Sequence, residues 1–455
     1  MTLVRRLLGC AALAMAMACG KPAASQDAEI PDLGTRKAGA DWPGFLGPDH
    51  DSKSSERGLL LRWPAEGPRK VWERKLGDSY GTCSVARGRA FQFDRAGGKA
   101  SLFCLKSETG EELWKFEYGS EYEDMYGYEP GPRCCPVVDG DRVYILGVEG
   151  MLHCVRVADG KVLWKTNTTK EFGVVQNFFG VGSTPIVEGE LLIVQVGGSP
   201  PGSPGIQSGD VKGNSSGIVA FDKRTGALKY RISDELASYS SPTIATINGR
   251  RWGFVFARGG LVGFEPATGK VDFFHAWRAR ILESVNASNP VVAGDLVLIS
   301  ECYSVGSSLL KVRPGGYDVV WSDGRKRDQS LATHWNTPIH LDGYVYGSSG
   351  RHTAEAELRC IELTTGAVQW SVPRLTRSSL LHVDGHFICL AEDGVLRLIK
   401  ANPKQYEEVA KVTLKAPDGE ALLKYPAWAA PILSHGLLYV RGKDRLVCLE
   451  VIPAN

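Results

Sequence analysis

A turn glycine followed four residues later by an aromatic side chain recurs along this chain, and that repeat constrains the fold more than any other feature. The copies are TGEELW ending at Trp114, DGKVLW at Trp164, TGALKY at Tyr230, TGKVDF at Phe273 and TGAVQW at Trp370, with a looser GGYDVVW at Trp321. Glycine supplies the positive φ of a short hairpin loop without steric cost. The aromatic leaves the next strand on one face, where a large ring can be buried between neighbouring sheets.

Upstream of these turns lie alternating runs led by proline: CPVVDGDRVYIL from Cys135, TPIVEGELLIV from Thr184, SPTIATINGRRWGFVF from Ser241, NPVVAGDLVLI from Asn289, TPIHLDGYVYG from Thr337 and APILSHGLLYV from Ala430. Two degenerate copies start near Ser84 and Leu380. Period-two alternation broken by Asp-Gly or Glu-Gly predicts hairpins, and a leading proline suits an innermost edge strand. Eight starts, 42 to 57 residues apart, leave room for four short strands each. The expected fold is all-β: an eight-bladed β-propeller with tryptophan-docking-type repeats. The last copy lacks an outer strand, and VWERKL (71–76) has the missing pattern. An N-terminal strand is therefore expected to close the ring, residues 70–77 completing the last blade with 427–455 and removing an exposed sheet edge.

The N-terminus reads as a targeting signal, with Arg5 and Arg6 ahead of the apolar run Leu7 to Ala18. Twelve apolar residues are too few to span a bilayer. Residues 1–18 are the expected signal peptide, Cys19 the expected lipidation site of a lipobox-like Ala-Met-Ala-Cys-Gly, and plain cleavage the alternative. Residues 19–40 are polar enough for a flexible tether, and 41–455 form the propeller. An exported protein with a lipid anchor, or a soluble periplasmic one, in a bacterial cell envelope follows. A net charge of +2 without a basic stripe argues against nucleic acid. Cys104, Cys154, Cys360 and Cys448 hold equivalent places in four repeats, too far apart to pair, and read as buried strand residues.

Thr-Gly followed by Trp at the fourth position resembles the tryptophan-docking repeat of the quinoprotein alcohol dehydrogenase-like (PQQ-like) propellers. That family includes a non-catalytic, BamB-like group, which the chain resembles more. DWPGFLGP from Asp41 is similar to the start of many PQQ-like propellers. A dehydrogenase of this family implies a quinone, a calcium ion with oxygen ligands, and a catalytic aspartate. Cys134-Cys135, just before Pro136, stands where such enzymes carry a vicinal disulfide against the quinone. Elsewhere the resemblance fails. Gly140 replaces an arginine, Gly197-Gly198-Ser199-Pro200 lacks the calcium carboxylate, and Tyr239-Ser240-Ser241 replaces the tryptophans of the quinone floor. No catalytic residues, metal or cofactor are therefore expected, PQQ with calcium being the alternative. The match of Gly213 to Gly217 to G-x-S-x-G lies in a Gly/Ser/Pro-rich insertion, and His382 and His386 flank a turn, so neither forms a site.

Residues just before each inner strand should line one mouth of the channel: Tyr80, Arg133, Cys134, Cys135, Phe179, Tyr239, Asn286, Asn289, His334, Trp335, Asn336, Arg377, Tyr425 and Trp428. Such a rim suits a flat or anionic small molecule, or merely plugs the channel. A loop at 117–129 gathers five acidic residues and four tyrosines and reads as a partner surface or a solvated loop. The favoured function is a monomeric scaffold that binds an envelope protein. The alternative is a divergent quinoprotein oxidoreductase or ligand-binding propeller acting through the channel mouth.

Overall fold

The computed structural model describes residues 30–324 and 328–454. Eight antiparallel sheets of four main strands follow one another around a ring. Blades 1 to 7 span residues 84–119, 137–167, 186–232, 243–276, 291–322, 339–373 and 378–413. Blade 8 joins three strands within 432–450 to Arg69–Lys75, so the N-terminal strand does close the ring. Second strands such as Arg142–Leu146 are buried almost throughout because blades cover both faces, whereas outer strands such as Glu112–Gly119 alternate towards solvent.

Each aromatic docks on the next blade. The indole N–H groups of Trp72, Trp114, Trp164, Trp321 and Trp370 donate to the carbonyls of Ser107, Val157, Lys223, Leu363 and Asn402. Turn glycines Gly110, Gly160 and Gly226 lie under the rings of Trp72, Trp114 and Trp164, so close that a Cβ would meet ring atoms at 2.7–2.8 Å. These glycines thus supply both a φ of 71–73° and the space for the preceding blade's tryptophan. A one-residue bulge precedes the docking position in all eight outer strand pairs, as between Lys70 and Trp72. Its local twist aims the ring at the neighbouring blade. Cys104, Cys154, Cys360 and Cys448 are buried third-strand residues of four separate blades.

Residues 42–54 cross one end of the channel. The N–H of Trp42 bonds to Val85 of blade 1, the carbonyl of Pro43 accepts from Val138 of blade 2, and Lys53–Ser54 pairs in parallel with blade 7. The tether expectation needs correction for residues 30–40, which are largely exposed but fastened to the ring at Ile30 and Arg36. Ile30 is buried among Phe91, Phe93 and Leu102, and the Arg36 guanidinium meets Glu450 and the carbonyls of His435 and Ile452. Apolar burial and these paired charges outweigh the polar composition that suggested a free segment. The expected signal peptide and lipidation at Cys19 lie outside the described residues.

His435 fastens this strap, its ring nitrogens lying 2.9 Å from the Ala38 carbonyl and 3.1 Å from the Asp41 carboxylate. The Asp41 contact holds its pKa above the usual value despite burial. A raised folded pKa adds stability that is full below the unfolded value and lost as pH rises through the folded one. Residues 30–40 should therefore exchange amide hydrogens faster at about pH 8.5 than at about pH 5.5, after correction for intrinsic rates. His435→Gln should remove the difference.

Candidate channel-mouth site

At the end opposite the crossing of residues 42–54, the ring opens into a funnel of about 600 Å³ whose floor includes Phe45 and Leu46 of that segment. Its inner collar is a chain of hydrogen bonds from residues that precede the inner-strand prolines. The N–H of Cys135 donates to Thr184 Oγ1, that of Thr184 to Ser241 Oγ, that of Ser241 to Asn289 Oδ1, and that of Asn289 to Thr337 Oγ1, at 2.8–3.2 Å. Preproline residues are held extended, so each side chain is presented to the neighbouring blade. Asn289 is therefore joinery rather than funnel lining. Asn286 is also buried, its amide donating to the Ala257 carbonyl at 2.7 Å.

Cys134 and Cys135 likewise fall outside the lining. Both are buried free thiols, Cys134 lying 3.3 Å from the Ser183 carbonyl. Burial raises both pKa values, that of Cys135 to about 12, so neither is a ready thiolate. Tyr80, Arg133, Phe179, Tyr239, His334, Trp335, Asn336, Arg377 and Trp428 do line the funnel, whereas Tyr425 stands outside it, exposed, edge-on to Trp428.

The wall is aromatic, with Tyr80 and Trp335 4.9 and 5.1 Å from Trp428 between ring centres. Arg377 lies 4.4 Å over Trp335 and grips the fully buried carboxylate of Glu392 through Nε and Nη2. Burial opposes ionisation of Glu392, but bonds from Arg377 and the Trp428 indole outweigh it and lower its pKa. Arg133 pairs with Asp124 at 2.8 Å. Burial, reinforced by Arg377 and Arg351, pushes the pKa of His334 down to about 3, so its imidazole is neutral at physiological pH. Arg351 makes no ion pair among the described residues and lies 4.4 Å over Tyr303. One carboxylate, Glu283, lines the funnel itself. Glu392 and Asp124 are engaged by arginines, and among the described residues no three His, Cys, Asp or Glu groups are placed to hold a metal.

Sequence reasoning missed Tyr303, Arg351 and Glu392. They follow the second strands of blades 5, 6 and 7, whose ends share this face; strand alternation in direction was the available signal. It also left the acidic tyrosine loop unplaced. Tyr118 donates to Glu149 and Tyr122 is buried, while Tyr126 and Tyr128 stand 47% and 44% exposed at the funnel's lip.

The ring of aromatic-docked blades and its closed-floor funnel define a PQQ-like β-propeller. Residues 98–372, more than half of the chain, match the family model described as outer membrane protein assembly factor BamB, and the chain belongs to that family. The crystal structure of BamB from Moraxella catarrhalis aligns with TM-score 0.55 and 14% identity over 84% of this chain and 97% of that one. Quinohemoprotein alcohol dehydrogenase from Comamonas testosteroni aligns with TM-score 0.61 and 13% identity over 91% and 81%. At such identities the alignments speak for the fold. No protein of curated function matches at a significant level.

Proposed function

We propose that this protein is exported, lipid-anchored through Cys19 in a bacterial cell envelope, and acts there as a monomeric protein-interaction scaffold. The observation that carries this reading is the lip of the funnel. Tyr126 and Tyr128 are 47% and 44% exposed there, with Met125 (41%) next to Tyr126 in the chain and Tyr425 (54%) edge-on to Trp428 just outside, beside arginines already committed to Glu392 and Asp124. Exposed aromatic and methionine side chains around neutralised charge suit a protein partner. The family description, an assembly factor of the outer membrane, supports the same kind of role.

A photo-crosslinking residue at Tyr128 in the native host should yield one discrete adduct, weakened at least fivefold by Tyr126→Ala. The same probe at Val368, on an outer strand, should yield none. Equal labelling from both positions would sink the scaffold reading. Cys19→Ala should move the protein from the membrane to the soluble fraction.

Arg351 favours a second reading, in which the funnel takes a flat or anionic small molecule between Tyr303 and Trp335. Saturable binding lost in Arg351→Gln would favour it over the scaffold.

A further inference from the structure

A second concavity, of about 520 Å³, lies on the same face, further out between blades 3 and 4. It is roofed by the Gly/Ser/Pro-rich insertion that contains Gly213, a composition that favours a flexible loop. Instead Ile206 is buried, and the Asn214 amide donates to the carbonyls of Phe172 and Ser199 at 2.9 Å. Beneath this roof two guanidiniums converge. Nη2 of Arg258 donates to the Leu282 carbonyl at 2.8 Å, and Nη2 of Arg278 donates to the same oxygen at 2.9 Å. Arg258 is 5% exposed and spans the ring of Phe178 at 5.1 Å, its Nη1 bonding Asn177 at 3.2 Å. The Nε of Arg278 is buried without a partner.

Neither arginine forms an ion pair among the described residues, although two carboxylates line the same pocket. Asp234 is used by Ser215, whose N–H and hydroxyl both donate to it at 2.7 and 3.0 Å. Glu235 accepts from the Gly259 N–H at 2.7 Å, and burial raises its pKa. Burial and the neighbouring Arg278 lower the pKa of Arg258 to about 10. Glu235 and Glu283 act on Arg278 and Arg258 without forming an ion pair, so two like charges share one neutral acceptor while the buried Nε of Arg278 stays unused, an arrangement that a bound anion would complete. Lys212 lines the opening, and Ile206, Val211 and Leu236 supply apolar walls.

We propose that this pocket binds a small organic oxyanion, a carboxylate or a phosphate monoester, held by Arg258 and Arg278 with Lys212 at its mouth. Guanidinium forks match such groups in charge and geometry, and the apolar walls leave room for a short carbon chain. The site is separate from the funnel and does not depend on its role.

The test is thermal unfolding of the full exported chain, titrated with glycerol phosphate or succinate at ionic strength held constant with chloride. One or both probes should raise the melting temperature saturably, and the stronger one identifies the headgroup. Arg278→Gln, at a half-buried position, should abolish the rise. In chloride alone this variant should melt at or above the parent, because a repulsion is removed. Lys212→Gln should weaken binding three- to tenfold without altering the melt in chloride. The proposal is overturned if neither probe gives a saturable rise, or if Arg278→Gln responds like the parent. It is also overturned if Arg278→Gln melts lower in chloride alone, which would make the arginine structural.

Discussion

A chain that begins after Leu76 is expected to aggregate on refolding and to show no cooperative melt. Blade 8 would lose Arg69–Lys75, exposing the N–H and C=O groups of Arg445–Glu450 as an open edge. Blade 1 would lose the ring that covers Gly110, since Trp72 packs on that glycine and edge-on to Tyr439 at 5.8 Å. The channel would also lose its crossing segment. Trp72→Ala isolates one part of this loss and should cost about 3–5 kcal/mol in denaturant melts, as truncation of a buried aromatic does. A truncated protein as soluble and stable as the parent would show that ring closure contributes nothing. A truncation ending at Ala40 removes the strap alone and should keep a cooperative transition.

Glu392→Ala should be the most damaging single change in the funnel wall, at about 3–5 kcal/mol, because it leaves the Arg377 guanidinium buried without its counter-charge. The pair is nearly inaccessible, with side-chain exposures of 12% and 0%, and Trp428 loses a hydrogen-bond acceptor in the same step. A double variant, Glu392→Met with Arg377→Met, should recover most of the loss, since paired charges can be exchanged for apolar bulk of similar size. A single-variant cost below about 1 kcal/mol would mean that water already solvates the pair. The lowered pKa of Glu392 sets the sign of its pH dependence. Its contribution is present above the unfolded value and lost as pH falls through the folded one, so Glu392→Gln should flatten part of the acid limb.

The amino-acid order determined the blade count, the ring closure and the docking aromatics. Each depends on a local pattern: a positive-φ glycine, a proline before an edge strand, and a tryptophan at a set distance from the turn. Such patterns repeat because every blade meets the same neighbour in the same way, so eight weak signals reinforce one another. The assignment of VWERKL to the last blade was legible for the same reason, since an incomplete last repeat requires its missing strand elsewhere.

Only the tertiary structure decided which rim residues meet. Asn289 and Cys135 carry the right residue types in the right repeat position, yet the preproline geometry turns them into a collar between blades. Arg351, which lines the funnel, and Glu392, which sits behind its wall against Arg377 and Trp428, come from a different set of loops and share this face because successive strands end on alternate faces. Residues 30–40 look like a tether by composition, but a single buried isoleucine and a few paired charges hold them to the ring. Arg258 and Arg278 are twenty residues apart, with nothing between them to mark a site. Their meeting on the Leu282 carbonyl depends on how blade 4 folds back under an insertion from blade 3, and contacts between segments without a repeat leave no local pattern to read.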